Sequence, residues 1–99
     1  MGKKIDYQLI HCPDCGGENL HHFDVHVYFR KCEDGRGSIA QIDKRGVFVD
    51  YDADMETNPS DRRDGIRVWL SCENCTAHIE LTLVQHKGCT YLSTKNYLE

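Results

Sequence analysis

Two C-x2-C units, Cys12-Pro13-Asp14-Cys15 and Cys72-Glu73-Asn74-Cys75, constrain this 99-residue chain more than any other feature. Each unit brings two thiols to one tight turn, and two such turns supply the four thiolates that a tetrahedral Zn²⁺ ion prefers. The candidate ligands are therefore Cys12, Cys15, Cys72 and Cys75, holding one Zn²⁺ per chain. Pro13 suits the turn entry, and Gly16 and Gly17 allow backbone amides to point toward sulfur.

Six cysteines also permit three disulfides in a secreted chain. The metal reading is preferred because no apolar segment follows Lys3 and Lys4, as an export signal would require, and because paired C-x2-C turns are a metal pattern. No apolar run reaches the length needed to cross a bilayer, so the expectation is a soluble, cytoplasmic protein with no membrane role. Only two prolines and no low-complexity tract mark a folded chain, and a single domain of this size gains from a metal staple. The formal charge is −4, and giving up four thiol protons to a divalent ion takes it to −6. An acidic surface argues against broad electrostatic capture of nucleic acid and leaves only a local basic patch for that purpose.

Hydrophobic alternation predicts a mainly β, antiparallel domain of six or seven short strands. Residues 7–10 read as a short strand. In 20–30, Phe23, Val25, Val27 and Phe29 alternate with His22, Asp24, His26, Tyr28 and Arg30, which predicts one buried apolar face and one polar face. Residues 39–42 and 47–51 flank a turn at Asp43–Gly46, and 66–71, 79–84 and 89–93 complete the set. Both cysteine pairs thus fall at hairpin corners. The stretch 52–65 has no clean period and reads as a surface loop with a helical turn near Asn58-Pro59-Ser60. The tail from Thr94 onward is expected to fray.

The segments Cys12-Pro13-Asp14-Cys15-Gly16 and Cys72-Glu73-Asn74-Cys75 resemble the knuckles of a zinc ribbon, in which two knuckles clamp one metal above a small antiparallel sheet. The likeness covers the knuckles and their flanking strands, about half the chain, and the whole chain is similar to small zinc-ribbon proteins of bacteria and phages. It implies one zinc-ribbon-like domain, residues 1–99, with knuckles at 12–15 and 72–75 and an inserted β segment at about 31–65. Ribbons serve transcription, translation, replication and ubiquitin chemistry, so the likeness specifies zinc and not function.

Four thiolates leave zinc no open position for water, so the site reads as structural and no catalytic residue is assigned. Neither C-x2-C opens a helix in a βαβ pattern, which argues against redox use. Cys32 and Cys89 are left over, and read as a loop thiol and a small strand residue rather than as a second metal site with His21, His22 or His86. His11 and His78, each close to a knuckle, are candidates to hydrogen-bond a thiolate. The best candidate binding surface joins Arg62, Arg63 and Lys87, with Trp69 or Tyr91 as a stacking face; the competing reading pairs both arginines with Asp61 and Asp64 and makes Trp69 a sheet-packing residue. The acidic stretch 50–56 reads as a solvated face, with nucleic-acid mimicry as its sharper alternative. Three functions follow in order: a non-enzymatic interaction module for a protein partner, a nucleic-acid-binding ribbon using Arg62, Arg63 and Lys87, and a metal-dependent enzyme.

Overall fold

The computed structural model describes residues 7–32 and 35–96. The readings of the amino-terminal lysines, of part of the 31–37 loop and of the last residues fall outside that range. Six strands form in chain order: β1 (Leu20–Arg30), β2 (Gly37–Asp43), β3 (Gly46–Ala53), β4 (Gly65–Cys72), β5 (His78–His86) and β6 (Cys89–Asn96). They make one antiparallel open sheet in the order β3-β2-β1-β4-β5-β6. Among the described residues there is no α-helix, and none long and apolar enough to cross a membrane.

Residues 7–10, expected as a strand, do not join the sheet. β1, which they precede, already pairs with β2 on one side and β4 on the other, so its edges are taken. The expected helical turn at Asn58 is also missing. The Asn58 Oδ1 accepts the Ser60 amide at 2.9 Å, a side-chain turn that competes with helix. The tail is more ordered than expected, since β6 continues to Asn96, which pairs with Ile79. At the β5–β6 turn Lys87 and Gly88 both have positive φ, 51° and 81°. That is the conformation of a two-residue turn whose twist matches the flanking strands.

The ladder registers assign each side chain to a face. On one face, directly opposed residues form the rows Val47–Ile42–Val25–Val68–Leu81–Thr94 and Val49–Ala40–Val27–Ile66–Leu83–Leu92, which cross all six strands without a charge. The other face carries Phe48–Gln41–His26–Arg67–Thr82–Ser93 and, beside it, Trp69–Glu80–Lys95. Alternation therefore locates both faces correctly, but away from the cysteine end, where Ile79 on the apolar face is fully buried, the burial of β1, β4 and β5 favours the other face. Tyr28, read from sequence as a polar-face residue, is fully buried, and Trp69, Glu80 and Thr82 on that face are also buried. On the apolar face Phe29, Ile42, Val47, Val49 and Leu92 remain 40–61% exposed.

The loop after β3 causes this. Tyr28, Ala53 and Met55 form one of the two small cores, with Ile39 against it. The Tyr28 hydroxyl donates to Thr57 Oγ1 at 3.1 Å, and Arg67 donates to the Thr57 carbonyl at 3.2 Å. Arg67 also meets the buried Glu80 carboxylate at 2.6 Å and lies 4.8 Å over the Trp69 ring. The second core, Cys12, Cys72, Ala77 and Ile79 with Leu20, Leu70 and Cys75 around it, sits at the opposite end of β4 and β5.

Candidate metal centre

The second cysteine pair lies between β4 and β5, as a hairpin-corner knuckle should. The first differs: it sits between the unpaired segment 7–11 and β1, so its shape is held by its own backbone. The Cys12 amide donates to the Gly17 carbonyl and the Gly16 amide to the Cys12 carbonyl, both at 2.8 Å. Gly16 has φ 79°, open to glycine with no steric cost. The two turns are tied by the Glu73 amide, which donates to the Asn19 carbonyl at 3.0 Å, and by His21, whose ring nitrogen meets the Glu73 carboxylate. Gly17 faces the second knuckle so closely that a Cβ there would run into the Asn74 side-chain amide.

The sulfurs of Cys12, Cys15, Cys72 and Cys75 all lie within 4.8 Å of one another. Cys12 and Cys75 are 3.8 Å apart, and Cys15 and Cys72 are 3.6 Å apart. A regular tetrahedron with metal–sulfur bonds of about 2.3 Å has edges of about 3.8 Å, so the donor set fits a four-coordinate ion. Backbone amides surround the sulfurs: Asp14 to Cys12, Gly17 to Cys15 and Asn74 to Cys72, each at 3.4 Å. Such donors favour thiolate over thiol.

The protonation pattern is one that a bound cation would ease. The amide of Cys15 foremost, helped by Asp14 and set against burial, lowers the Cys12 thiol to about 7. The Ala77 amide pulls Cys75 down, but burial and the thiols of Cys72, Cys15 and Cys12 together push it up to about 12. Cys15 is likewise raised, because the neighbouring Cys72 sulfur and burial outweigh the Gly17 amide. One thiolate forms readily and then resists the others, which is the like-charge repulsion that a bound divalent ion removes.

The histidines near the knuckles take other partners. His11 lies 3.6 Å from the Glu18 carboxylate, and the His78 ring packs 5.2 Å from Phe23. Among the described residues no second group of three or more metal-binding side chains assembles. Cys32 and Cys89 are exposed, and Cys89 stands opposite His86 across the β5–β6 turn. The acidic stretch is built into its own backbone: Asp50 and Asp54 accept the amides of Asp52 and Glu56, and Asp52 pairs with Arg36 at 2.9 Å.

The residues read from sequence as a binding surface are partly brought together. Arg62, Arg63 and Lys87 line one cleft of about 500 Å³, with Asp61 and His86. Trp69 lies elsewhere, 7% exposed and with His26 edge-on at 4.4 Å, so it offers no open ring face there. Sequence reasoning missed the residues that shape this cleft. The buried Ser60 hydroxyl accepts the Gln85 amide at 3.0 Å and donates to the Asp64 carbonyl at 2.7 Å. The Asn58 side chain and Arg30 reach the loop carbonyls. The Asn-Pro-Ser run is the one signal in the sequence, and its composition alone points to a helical turn.

Fold and site together define an all-β protein: an open six-stranded antiparallel sheet with a four-cysteine metal site at one end. Compared with known proteins, the chain matches no family model, no curated protein and no solved structure.

Proposed function

We propose that the bound metal is Zn²⁺, held as a structural staple in a zinc-ribbon-like arrangement. On this reading the protein is a non-enzymatic interaction module that docks a protein partner, a second copy of the same chain, on its apolar sheet face. Four thiolates at tetrahedral separations support zinc, and a closed coordination sphere argues against a metal-dependent enzyme. Reduced thiolates suit a reducing compartment such as the cytoplasm.

The observation that carries the docking reading is the pair of uncharged rows across six strands, with Val47 61% and Leu92 54% exposed at their two ends. A sheet face of this kind is stable when another layer covers it. A twofold contact requires a patch complementary to itself, and rows without charge meet their own copy with no like-charge penalty. Two such sheets stack as a sandwich about 10 Å apart. A nucleic-acid role must use another surface, because these rows hold no Lys or Arg.

Sedimentation equilibrium of the zinc-loaded chain tests this. The wild type should be dimeric at micromolar concentration, and Ile42→Lys/Val49→Lys should be monomeric with unchanged circular dichroism. A wild type that stays monomeric throughout the micromolar range contradicts the docking reading.

A further inference from the structure

We infer that the free edge of β3 pairs antiparallel with β3 of a second copy, about a twofold axis normal to the sheet and centred on Phe48. This contact goes beyond the docking of sheet faces proposed above, because it uses the backbone edge of the sheet and not its face.

The edge is the first argument. The sheet ends in β3 and β6. Residues 8–11 lie beside β6 and share a hollow of about 300 Å³ with Leu92, Ser93 and Thr94. Among the described strands β3 pairs with β2 alone, and residues 47–52 are all exposed. An edge strand presents unpaired amides and carbonyls, and the group that completes them is the extended backbone of another strand. The common protections against such pairing are thin here. β3 is eight residues long, holds no Pro and no Lys, and is irregular against β2 only beyond Asp50, which leaves 46–50 regular.

The side chains select the partner. A twofold axis normal to the sheet keeps each face on its own side, so opposed residues share a face. With Phe48 opposite its own copy, Val47 meets Val49 and Gly46 meets Asp50. The valines carry the uncharged rows of the apolar face from one sheet into the next. A carboxylate on an edge strand obstructs pairing with most sequences, but Gly46 has no side chain and leaves Asp50 room. The two Phe48 rings meet on the other face, beside a hollow of about 200 Å³ bordered by Ile39, Gln41 and Asp50.

Charge sets the direction. The turn before β3 carries Lys44 and Arg45 with Asp43, which holds Arg45 at 2.9 Å. The far end carries Asp50, Asp52 and Asp54 with Arg36, which holds Asp52 at 2.9 Å. Counted with these pairs intact, the first end has a net positive charge of one and the second a net negative charge of two. Antiparallel pairing brings the positive end of each copy to the negative end of the other, whereas parallel pairing sets like against like. The strand that fits this edge is therefore one with β3's own pattern.

The test is sedimentation equilibrium and isotope-filtered NMR on the metal-loaded full chain carrying Phe29→Lys/Leu92→Lys. Those two exposed residues stand on the apolar face away from β3, so face docking is blocked and the edge is unaltered. The contact is small, so this chain should be monomeric at micromolar concentration and dimerise as it approaches about 1 mM. Intermolecular contacts should join Val47 of one copy to Val49 of the other. Adding Phe48→Glu opposes two carboxylates at the axis and should weaken dimerisation about tenfold or more with unchanged circular dichroism. In the wild-type chain, Phe48→Glu should remove a dimer-to-tetramer step at high concentration and spare the face dimer. A face-blocked chain that stays monomeric throughout, undiminished association after Phe48→Glu, or contacts that place residues 7–10 or β6 against β3 overturns the proposal. Failure of the face reading shows separately, as a wild type that is monomeric at micromolar concentration.

Discussion

Replacing Ser60 by alanine isolates the contact that joins the arginine loop to β5. The hydroxyl is 1% exposed and makes two hydrogen bonds, from the Gln85 amide at 3.0 Å and to the Asp64 carbonyl at 2.7 Å. Ser60→Ala leaves both backbone groups without that partner; Asp64 is half-buried and Gln85 exposed, so water replaces part of what is lost. At about 0.5–1.5 kcal/mol for each hydrogen bond, the loss is about 1–3 kcal/mol. A chain of this size has total stability of about 5–15 kcal/mol, so a large share is at risk. Unfolding entropy of about 2.1 cal/mol/K per residue gives about 0.2 kcal/mol/K over 99 residues. The Tm should therefore fall by roughly 5–15 °C, read by circular dichroism on metal-loaded protein at fixed concentration. Amide exchange at Gln85 should accelerate more than exchange along β1. A Tm change below about 2 °C, with Gln85 still protected, refutes the reasoning.

Three further outcomes follow from the same contacts. Arg67→Leu removes the nearer of the two cations beside Glu80, whose side chain is 4% exposed, and leaves only Lys95 at 3.7 Å; it should cost about 3 kcal/mol in urea unfolding, while Arg67→Leu/Glu80→Leu should recover most of that loss. Gly17→Ala puts a Cβ against the end of the exposed Asn74 side chain, which can swing aside, and 3.3 Å from the Cys15 sulfur, which must give way, so metal affinity should drop, by about tenfold at most, in a chelator competition while the β2–β3 hairpin keeps its NMR shifts. Loading metal at pH 8 should release protons: Cys12, lowered to about 7, is then mostly thiolate, whereas Cys15 is raised and Cys75 stands at about 12, so both must give up theirs. Apparent affinity should thus rise with pH and metal should be shed on acidification, which calorimetry in buffers of different ionisation enthalpy will count.

The strands were legible because each carries its own period of two. Val25 and Val27, Ile66 and Val68, and Leu81 and Leu83 stand on one face, and the cysteine spacing brought residues 12 and 75 together without any knowledge of the sheet. What alternation does not encode is which face will be covered. The cover comes from the loop after β3, whose contacts are polar and non-periodic: Thr57 to Tyr28 and Arg67, and Asp64 and the carbonyls of Ser60 and Arg63 to Arg30. Such bonds leave no pattern in a sequence, so alternation places Tyr28 with its polar neighbours and does not show its burial. Residues 7–10 show the converse: a strand-like composition without a free edge to join. The cleft was half legible, since Arg62, Arg63 and Lys87 were grouped by charge, while Ser60 and Asn58, which position them, carry no charge to notice.

Chelation tests the central claim most directly, because the account makes a single metal the link between the unpaired amino-terminal segment and the β4–β5 hairpin. Native mass spectrometry should find one Zn²⁺ per chain, and its removal should abolish the cooperative melting transition and free the backbone around Cys12 and Cys72 to exchange. A chelated protein that keeps its full thermal stability, or a chain that retains iron or two metal ions, would contradict it.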